Sequence, residues 1–565
     1  MRHHATAFSL VISAFILIPV AGAVAAGPKA WPVDSLIKIF STDAAGSHRL
    51  ATPELLAVRG EHVSLQLAIR SRQPLTGVTA DLNPLKSPQG ETLAGASVRP
   101  VGYVVVASHT RNTPEDELVG EAPGWFPDPI QDFPVNIRAN YTQPLWVSVA
   151  VPADAKPGDY RGAVLVRAGD RVLARREFRV KVLAATVPPG HVLKVTNWFT
   201  VSDAVSQQFY GVKQFTPDWW TLIQNLAHVM AAHRQNMVMT PLMTLVEPRV
   251  DGDHLAYDFA NFDRWVETFH NAGAIGYIEG SHLLERGAGW DGGLTVAPTF
   301  QIENGKVKRS SLPADDPRVE ASLAGFLTAL NAHLDAMGWK SIYYQHVLDE
   351  AHGTEPPHYA RIAQLVHRYV PGVPTMDAVD AEHIPIELQK YCDVWVPQLG
   401  RFDGQVDLIR QRMKSGHEVW FYTCLFPNRR YPNRLMDYPL LKVRLLQWLN
   451  FRYGFTGFLH WGWNYWTPDP IIDTQPVLED VTILPSGDAF IVYPDKAHET
   501  VYSSIRLETM LQGIEDYEML QALEAKNPAE AQRLAEEAMA GFTDYVRDPA
   551  QFRAIEKELL EALAK

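Results

Sequence analysis

Eight short apolar runs, separated by long stretches with helical period, fill the chain beyond residue 190 and constrain its fold more than any other feature. They lie near Val192 to Phe199, Asn236 to Leu242, Ala274 to Gly280, Ile342 to Asp349, Pro374 to Val379, Asp393 to Gln398, Glu418 to Cys424 and Gly457 to Trp463. Eight parallel strands interleaved with helices make a TIM-like (β/α)8 barrel, with an open α/β sheet as the competing arrangement. The Pro188-Pro189-Gly190 tripeptide marks a boundary before the first run. Ahead of it, alternating runs such as Val63 to Ala68, Leu145 to Ala150 and Gly162 to Val166, broken by turns such as Ala155-Lys156-Pro157-Gly158-Asp159, predict an antiparallel β-sandwich. After the eighth run, Leu507, Met510, Leu511, Ile514, Met519 and Leu520 are spaced for an amphipathic helix with an N-cap serine, which would close the barrel. The expected division is a leader over 1–26, a sandwich over 27–188, a barrel over 189–525, and a helical extension over 526–565 packed on the outside.

The leader is expected from Arg2, an apolar run from Ala5 to Val20, and small residues ending at Ala26, the pattern of a secretory signal peptide. No later segment reaches the roughly 18 uninterrupted apolar residues of a membrane helix. The expectation is an exported chain without a membrane span, periplasmic or secreted. A formal charge of -13, with no clustered basic residues, argues against a nucleic-acid partner. Two cysteines, Cys392 and Cys424, exclude a disulfide framework and thiolate metal sites. Their positions before one strand and at the far end of the next place them roughly 15 to 20 Å apart at about 3.3 Å per residue, too far to bridge. No surface pattern fixes the oligomeric state.

Reactive groups in such a barrel stand where the strands end. The fourth run ends in Asp349-Glu350, two carboxyls beside apolar and aromatic neighbours, suited to having their pKa values driven apart so that one is an acid while the other is charged. Glycosidic cleavage needs that division. The dipeptide alone is uninformative, since Asp116-Glu117 repeats it in the sandwich. A solvated loop pair or a helix cap is the plain alternative. Other strand ends offer Trp198, His282, Asp377, Gln398 and Tyr422, and the eighth runs through His460-Trp461-Gly462-Trp463-Asn464-Tyr465-Trp466. Aromatic rings stack on sugars and the polar groups between them bind hydroxyls. For each residue alone, core packing is the commoner role. No His-Glu-x-x-His, Gly-x-Ser-x-Gly or phosphate loop occurs, so neither metal nor cofactor is expected.

Val347-Leu348-Asp349-Glu350, Trp420 to Cys424 followed by Pro427-Asn428, and Gly457 to Trp466 together resemble glycoside hydrolase family 123. Ser486 to Pro494, and Ser504 to Glu508 with Gly513 to Tyr517, are similar to the related domain of unknown function 4091. The resemblance covers roughly Val192 to Glu524. It implies a retaining N-acetyl-β-galactosaminidase-like activity on a carbohydrate substrate, in which the substrate's own 2-acetamido oxygen forms an oxazolinium. Asp349 would polarise the acetamido N–H, and Glu350 would serve as acid and then base. Tyr422 would add a second hydrogen bond to the acetamido group, while Trp461, Trp463 and Asn464 shape the sugar subsite. The acids are followed here by Ala351-His352 where the resemblance suggests proline. Two rivals remain: a glycosidase using Glu279 or Asp377 as nucleophile on a sugar lacking the acetamide, and a non-catalytic carbohydrate-binding protein.

Overall fold

The computed structural model describes Met1 and residues 27–190, 192–287, 289, 292–402, 404–478 and 482–565. Beyond Met1, the expected leader lies outside these residues. The chain is multidomain, with a sheet-rich N-terminal region followed by a helix-containing C-terminal one.

Two sheets build the N-terminal region. One runs in the order Lys29–Asp34, His62–Arg70, Thr142–Ala150, Ala96–Val106, Gly124–Ile130. The other runs Glu54–Arg59, Arg171–Thr186, Gly158–Ala168, Leu75–Leu82, Val135–Ile137. Alternation turns Leu65, Leu67, Leu145 and Val147 of the first sheet onto Val164, Val166, Val180 and Val182 of the second, forming one apolar core. The expectation of an all-antiparallel sandwich needs correcting in one place: Glu54–Arg59 pairs parallel to Arg171–Thr186.

Each of the eight apolar runs holds a short strand: Lys194–Asn197, Met237–Thr240, Tyr277–Gly280, Tyr343–Gln345, Met376–Val379, Val394–Pro397, Phe421–Tyr422 and Gly457–His460. The first pairs parallel with the eighth, the second with the third, the third with the fourth, the fifth with the sixth and the seventh with the eighth. Single parallel bridges join Gln345 to Thr375 and Trp395 to Val419, and the Asn236 N–H donates to Val195 O between the first two strands. The pairing therefore returns to its start. Met237, Tyr344, Met376, Ala378, Val394, Val396, Trp420, Tyr422 and Leu459 share one cluster inside this ring. Their strand neighbours, such as Val238, Tyr343, Trp395, Phe421 and Phe458, join the larger core shared with the helices.

Two insertions escaped the sequence reading. A hairpin, Glu247–Asp251 with His254–Asp258, precedes the helix Ala260–Ala272, and a three-stranded sheet, Leu284–Arg286, Leu294–Glu303 and Lys306–Pro313, follows the third ring strand. The helix expected after the eighth strand is Ile505–Lys526, capped by Ser504, whose hydroxyl accepts from the Leu507 N–H at 3.1 Å. It is not amphipathic. Residues on every face are buried, because the helices Pro528–Ala538 and Pro549–Leu563 pack over it.

Charged side chains lock the regions together. Arg506 is fully buried and grips Asp128 of the sandwich with two bonds, at 2.9 and 2.8 Å, while donating to the carbonyls of Arg434, Gly487 and Phe490. Arg553 on the last helix reaches Asp34 at 2.9 Å, so that helix packs on the sandwich as well as on Ile505–Lys526. Cys392 and Cys424 are buried free thiols.

Candidate active site

The fourth ring strand ends at Gln345, and the chain then runs through Val347 and Leu348 into a turn that carries Asp349 and Glu350. The Glu350 backbone sits at φ +46°. A left-handed conformation at a non-glycine residue stores strain of about 1–3 kcal/mol and persists only where its surroundings hold it. Here they do. The Glu350 N–H donates to Ala378 O of the fifth strand at 3.2 Å. Arg286 Nη2 donates to the carbonyls of Asp349 and Glu350 at 2.9 and 3.2 Å, and the same guanidinium grips both oxygens of Glu355 at 2.9 and 2.7 Å.

The two carboxyls face different neighbours. Asp349 borders a cavity of about 460 Å³, with Ser281, His282, Arg286 and Leu348 also in its wall. Glu350 stands across the turn, where its Oε1 accepts from the Tyr422 hydroxyl of the seventh strand. Burial raises the Asp349 carboxyl to about 6; nearby Asp377 adds to the rise, while Arg286 and His346 oppose it. Burial and the adjacent Asp349 push Glu350 further, to about 8, against the pull of Tyr422 and Arg286. Two neighbouring acids that interact this way titrate as a pair.

Beneath them runs a buried chain of polar groups. His346 bonds to Glu279 through Nε2 at 2.8 Å and to Asp377 through Nδ1 at 2.9 Å. Burial works against its charge, yet the hydrogen bonds to Asp377 and Glu279 raise its pKa to about 10. Thr196 and Trp198 also donate to Glu279, at 2.6 and 2.7 Å. Tyr359 and the Val347 N–H donate to Asp377 at 2.7 and 3.0 Å. His282, kept neutral by burial and by the positive charges of His346 and Arg286, packs edge-on against Trp198.

The structure separates the residues singled out in the sequence. Asp349, Glu350, Tyr422, His282 and Trp198 converge on one mouth of the ring. Asp377 is fully buried beneath it, between Met376 and Ala378, which point inward: its Oδ1 lies 2.9 Å from His346 Nδ1 and 3.5 Å from His282 Nε2, and its Oδ2 accepts from Tyr359 on the helix Pro356–Tyr369. Trp463 and Asn464 are likewise core rather than subsite. Trp463 packs on Phe199, and the Asn464 amide both accepts from the Thr200 N–H and donates to the Thr200 carbonyl at 2.8 Å. Gln398 is buried, its side chain accepting from the Gly400 N–H at 3.1 Å. Trp461 is partly exposed and donates to Asp488. His282, His346 and Asp377 have ligand atoms within 4.8 Å of one another, but both His346 nitrogens are bonded to carboxylates, which makes the cluster a hydrogen-bonded relay.

Arg286, Glu355 and the relay role of His346 went unseen in the sequence. Arg286 lies in an insertion with no motif of its own. The charge alternation of Glu279, His346 and Asp377 becomes visible only once the strands are paired.

A buried acid pair at the mouth of a ring of parallel strands suits glycosidic cleavage. The chain belongs to glycoside hydrolase family 123: the model of that family's catalytic domain matches residues 198–523, and that of its N-terminal domain matches residues 41–168. Among solved structures, a family 123 glycoside hydrolase from Clostridium perfringens, studied for glycolipid glycan hydrolysis, shares the fold with a TM-score of 0.74 at 17% identity, over 95% of this chain and 97% of that one. A family 39 glycoside hydrolase from Bacteroides cellulosilyticus gives a TM-score of 0.35 at 12% identity, over 77% and 82% of the two chains. A search of curated proteins returned no match.

Proposed function

We propose that this glycoside hydrolase is a retaining exo-enzyme that removes terminal β-linked N-acetylgalactosamine, or a related N-acetylhexosamine, from a glycan or glycoconjugate by substrate assistance. The substrate's acetamido oxygen attacks the anomeric carbon as the bond to the leaving oxygen breaks. Asp349, as carboxylate, accepts the acetamido N–H and offsets the growing positive charge. Glu350 gives its proton to the leaving oxygen. Water then attacks the same carbon, Glu350 takes the water's proton, and the oxazolinium opens to the acetamide with configuration retained.

The observation that carries this reading is the split within the acid pair. Burial raises Asp349 to about 6, and burial with the adjacent Asp349 raises Glu350 further, to about 8, an order that suits a charged Asp349 and a protonated Glu350 in the first step. The rival mechanism, with Glu279 or Asp377 as nucleophile, is disfavoured because both are fully buried and each accepts from three partners. In the same reading the closed ring over residues 189–525 is a (β/α)8 barrel, the sandwich spans 27–188, and the enzyme is exported to the periplasm or beyond. A panel of aryl β-glycosides differing only at C2 and C4 tests the proposal. Turnover confined to 2-acetamido sugars, with strong inhibition by a thiazoline mimic of the oxazolinium, is expected. A trapped covalent glycosyl-enzyme would refute it.

A further inference from the structure

We propose that Arg286 is a positioning residue of this active site, a fork reaching from the inserted three-stranded sheet that holds the Asp349–Glu350 turn in its working geometry. The inference rests on the glycosidase reading above and adds to it a function for an insertion that the eight-run pattern does not require.

The turn has little support of its own, because the fourth strand stops at Gln345 and the acids follow four and five residues later. The inserted sheet supplies that support at two points. The Leu284 N–H donates to Val347 O at 2.9 Å. Two residues on, the Arg286 side chain donates through Nη2 to the carbonyls of Asp349 and Glu350. Its other bonds fix the fork itself. Nε and Nη2 chelate Glu355, whose Oε2 also accepts from the His352 N–H at 2.9 Å, tying down the far end of the turn. Only a planar guanidinium reaches two carbonyls and a carboxylate at once; an ammonium offers a point charge. The left-handed φ of Glu350 is what this grip maintains. Arg286 touches backbone and not the reacting carboxyl oxygens, so it acts through the acids.

The charges around the pair make the fork legible in solution. Glu350 faces Asp349, Asp380, Tyr422 and Arg286. Asp349 faces Asp377, His346 and Arg286. Arg286 itself faces Glu355 and His352. Removing its positive charge therefore moves both carboxyls, and both limbs of the pH–rate profile, upward.

The test measures kcat and KM against pH for Arg286→Ala, Arg286→Lys and Glu355→Gln, on an aryl glycoside that the wild type hydrolyses. Arg286→Ala is expected to lose about 100-fold in kcat, the effect of misplacing reacting groups by about an ångström, with KM near wild type and both limbs raised. Arg286→Lys keeps the charge, so its limbs stay in place while kcat remains low. Unchanged kcat, a rise in KM alone, or full recovery of kcat by lysine overturns the proposal. So does a loss of kcat in Arg286→Ala with unmoved limbs and a lowered melting temperature, the mark of a merely structural residue. Should Arg286→Ala fail to fold, Arg286→Lys and Glu355→Gln decide: low kcat at near-normal KM in both supports the fork, and wild-type kcat in either overturns it. If the wild type turns over no glycoside, the glycosidase reading falls separately, and the ¹³C titration of the Glu350 carboxyl decides the inference. It moves upward in Arg286→Ala if the fork faces the acid and stays put if it does not.

Discussion

Replacing Tyr422 by phenylalanine removes one hydroxyl from the wall of the site and nothing else. That hydroxyl donates to Glu350 Oε1 and favours the ionised carboxyl, opposing the burial that lifts Glu350 to about 8. A hydrogen bond to a charged acceptor contributes about 1.5–3 kcal/mol, which at 1.36 kcal/mol per unit corresponds to about one to two pH units. The basic limb of kcat/KM, which reports loss of the Glu350 proton, should move up by that amount in Tyr422→Phe. The acidic limb, set by Asp349 near 6, should stay in place because Tyr422 is not among the groups that shift Asp349. At neutral pH the variant should be slower by on the order of tenfold, since a weaker acid gives up its proton less readily. The assay is initial-rate hydrolysis of an aryl N-acetyl-β-hexosaminide across the pH range. A basic limb that is unmoved or lowered would refute the assignment of Glu350 as the acid that Tyr422 tunes.

Glu350→Gln and Asp349→Asn should each cost about 100- to 10,000-fold in kcat/KM; the loss in Glu350→Gln should shrink for a dinitrophenyl leaving group, which needs no proton, and equal losses for all leaving groups would count against its role. The same Glu350→Gln should be the more stable protein at higher pH. Folding holds the Glu350 proton up to about pH 8 against an ordinary 4.5, so the folded state binds the extra proton and wild-type stability falls as pH rises through that interval. Melting temperatures of the two proteins should diverge upward from about pH 5, and parallel curves would contradict the burial argument. Arg506→Met strands the buried Asp128 carboxylate and should cost about 3–5 kcal/mol in a denaturant melt, with part recovered in the double variant carrying Asp128→Asn.

The sequence carried the frame of this protein because the frame is periodic. All eight ring strands fall inside the apolar runs, since a strand packed on both faces must be apolar for three or four residues together. What it did not carry depends on which face a residue takes. Asp377, near the end of the fifth run, sits between the inward pair Met376 and Ala378 and is therefore buried among His346, His282 and Tyr359 beneath the mouth. Trp463 and Asn464 misled for another reason. The loop after the eighth strand folds back to close the ring, with the Trp463 N–H on Trp198 O and Asn464 on Thr200, so aromatic and amide groups that suit a sugar subsite serve as packing. Arg286 had no local signal, because its partners lie more than sixty residues away and its position follows from an insertion.

The two Asp-Glu dipeptides differ in the charges that the fold brings to them. Glu117 is buried, but Arg430, Lys442 and Arg547 each approach it to 2.8 Å and the Tyr545 hydroxyl to 3.0 Å. Three cations surround its oxygens, so it fastens the sandwich to the C-terminal region. Glu350 has the opposite company: Asp349 beside it and Asp380 nearby, with Arg286 spending its donors on the backbone carbonyls of the turn and on Glu355. Burial without a neutralising cation at the carboxyl raises Glu350 to about 8, the property that the proposed acid needs. In the proposed reading the same two letters become anchor or acid according to whether the fold brings cations to the oxygens, and that is decided by residues hundreds of positions apart.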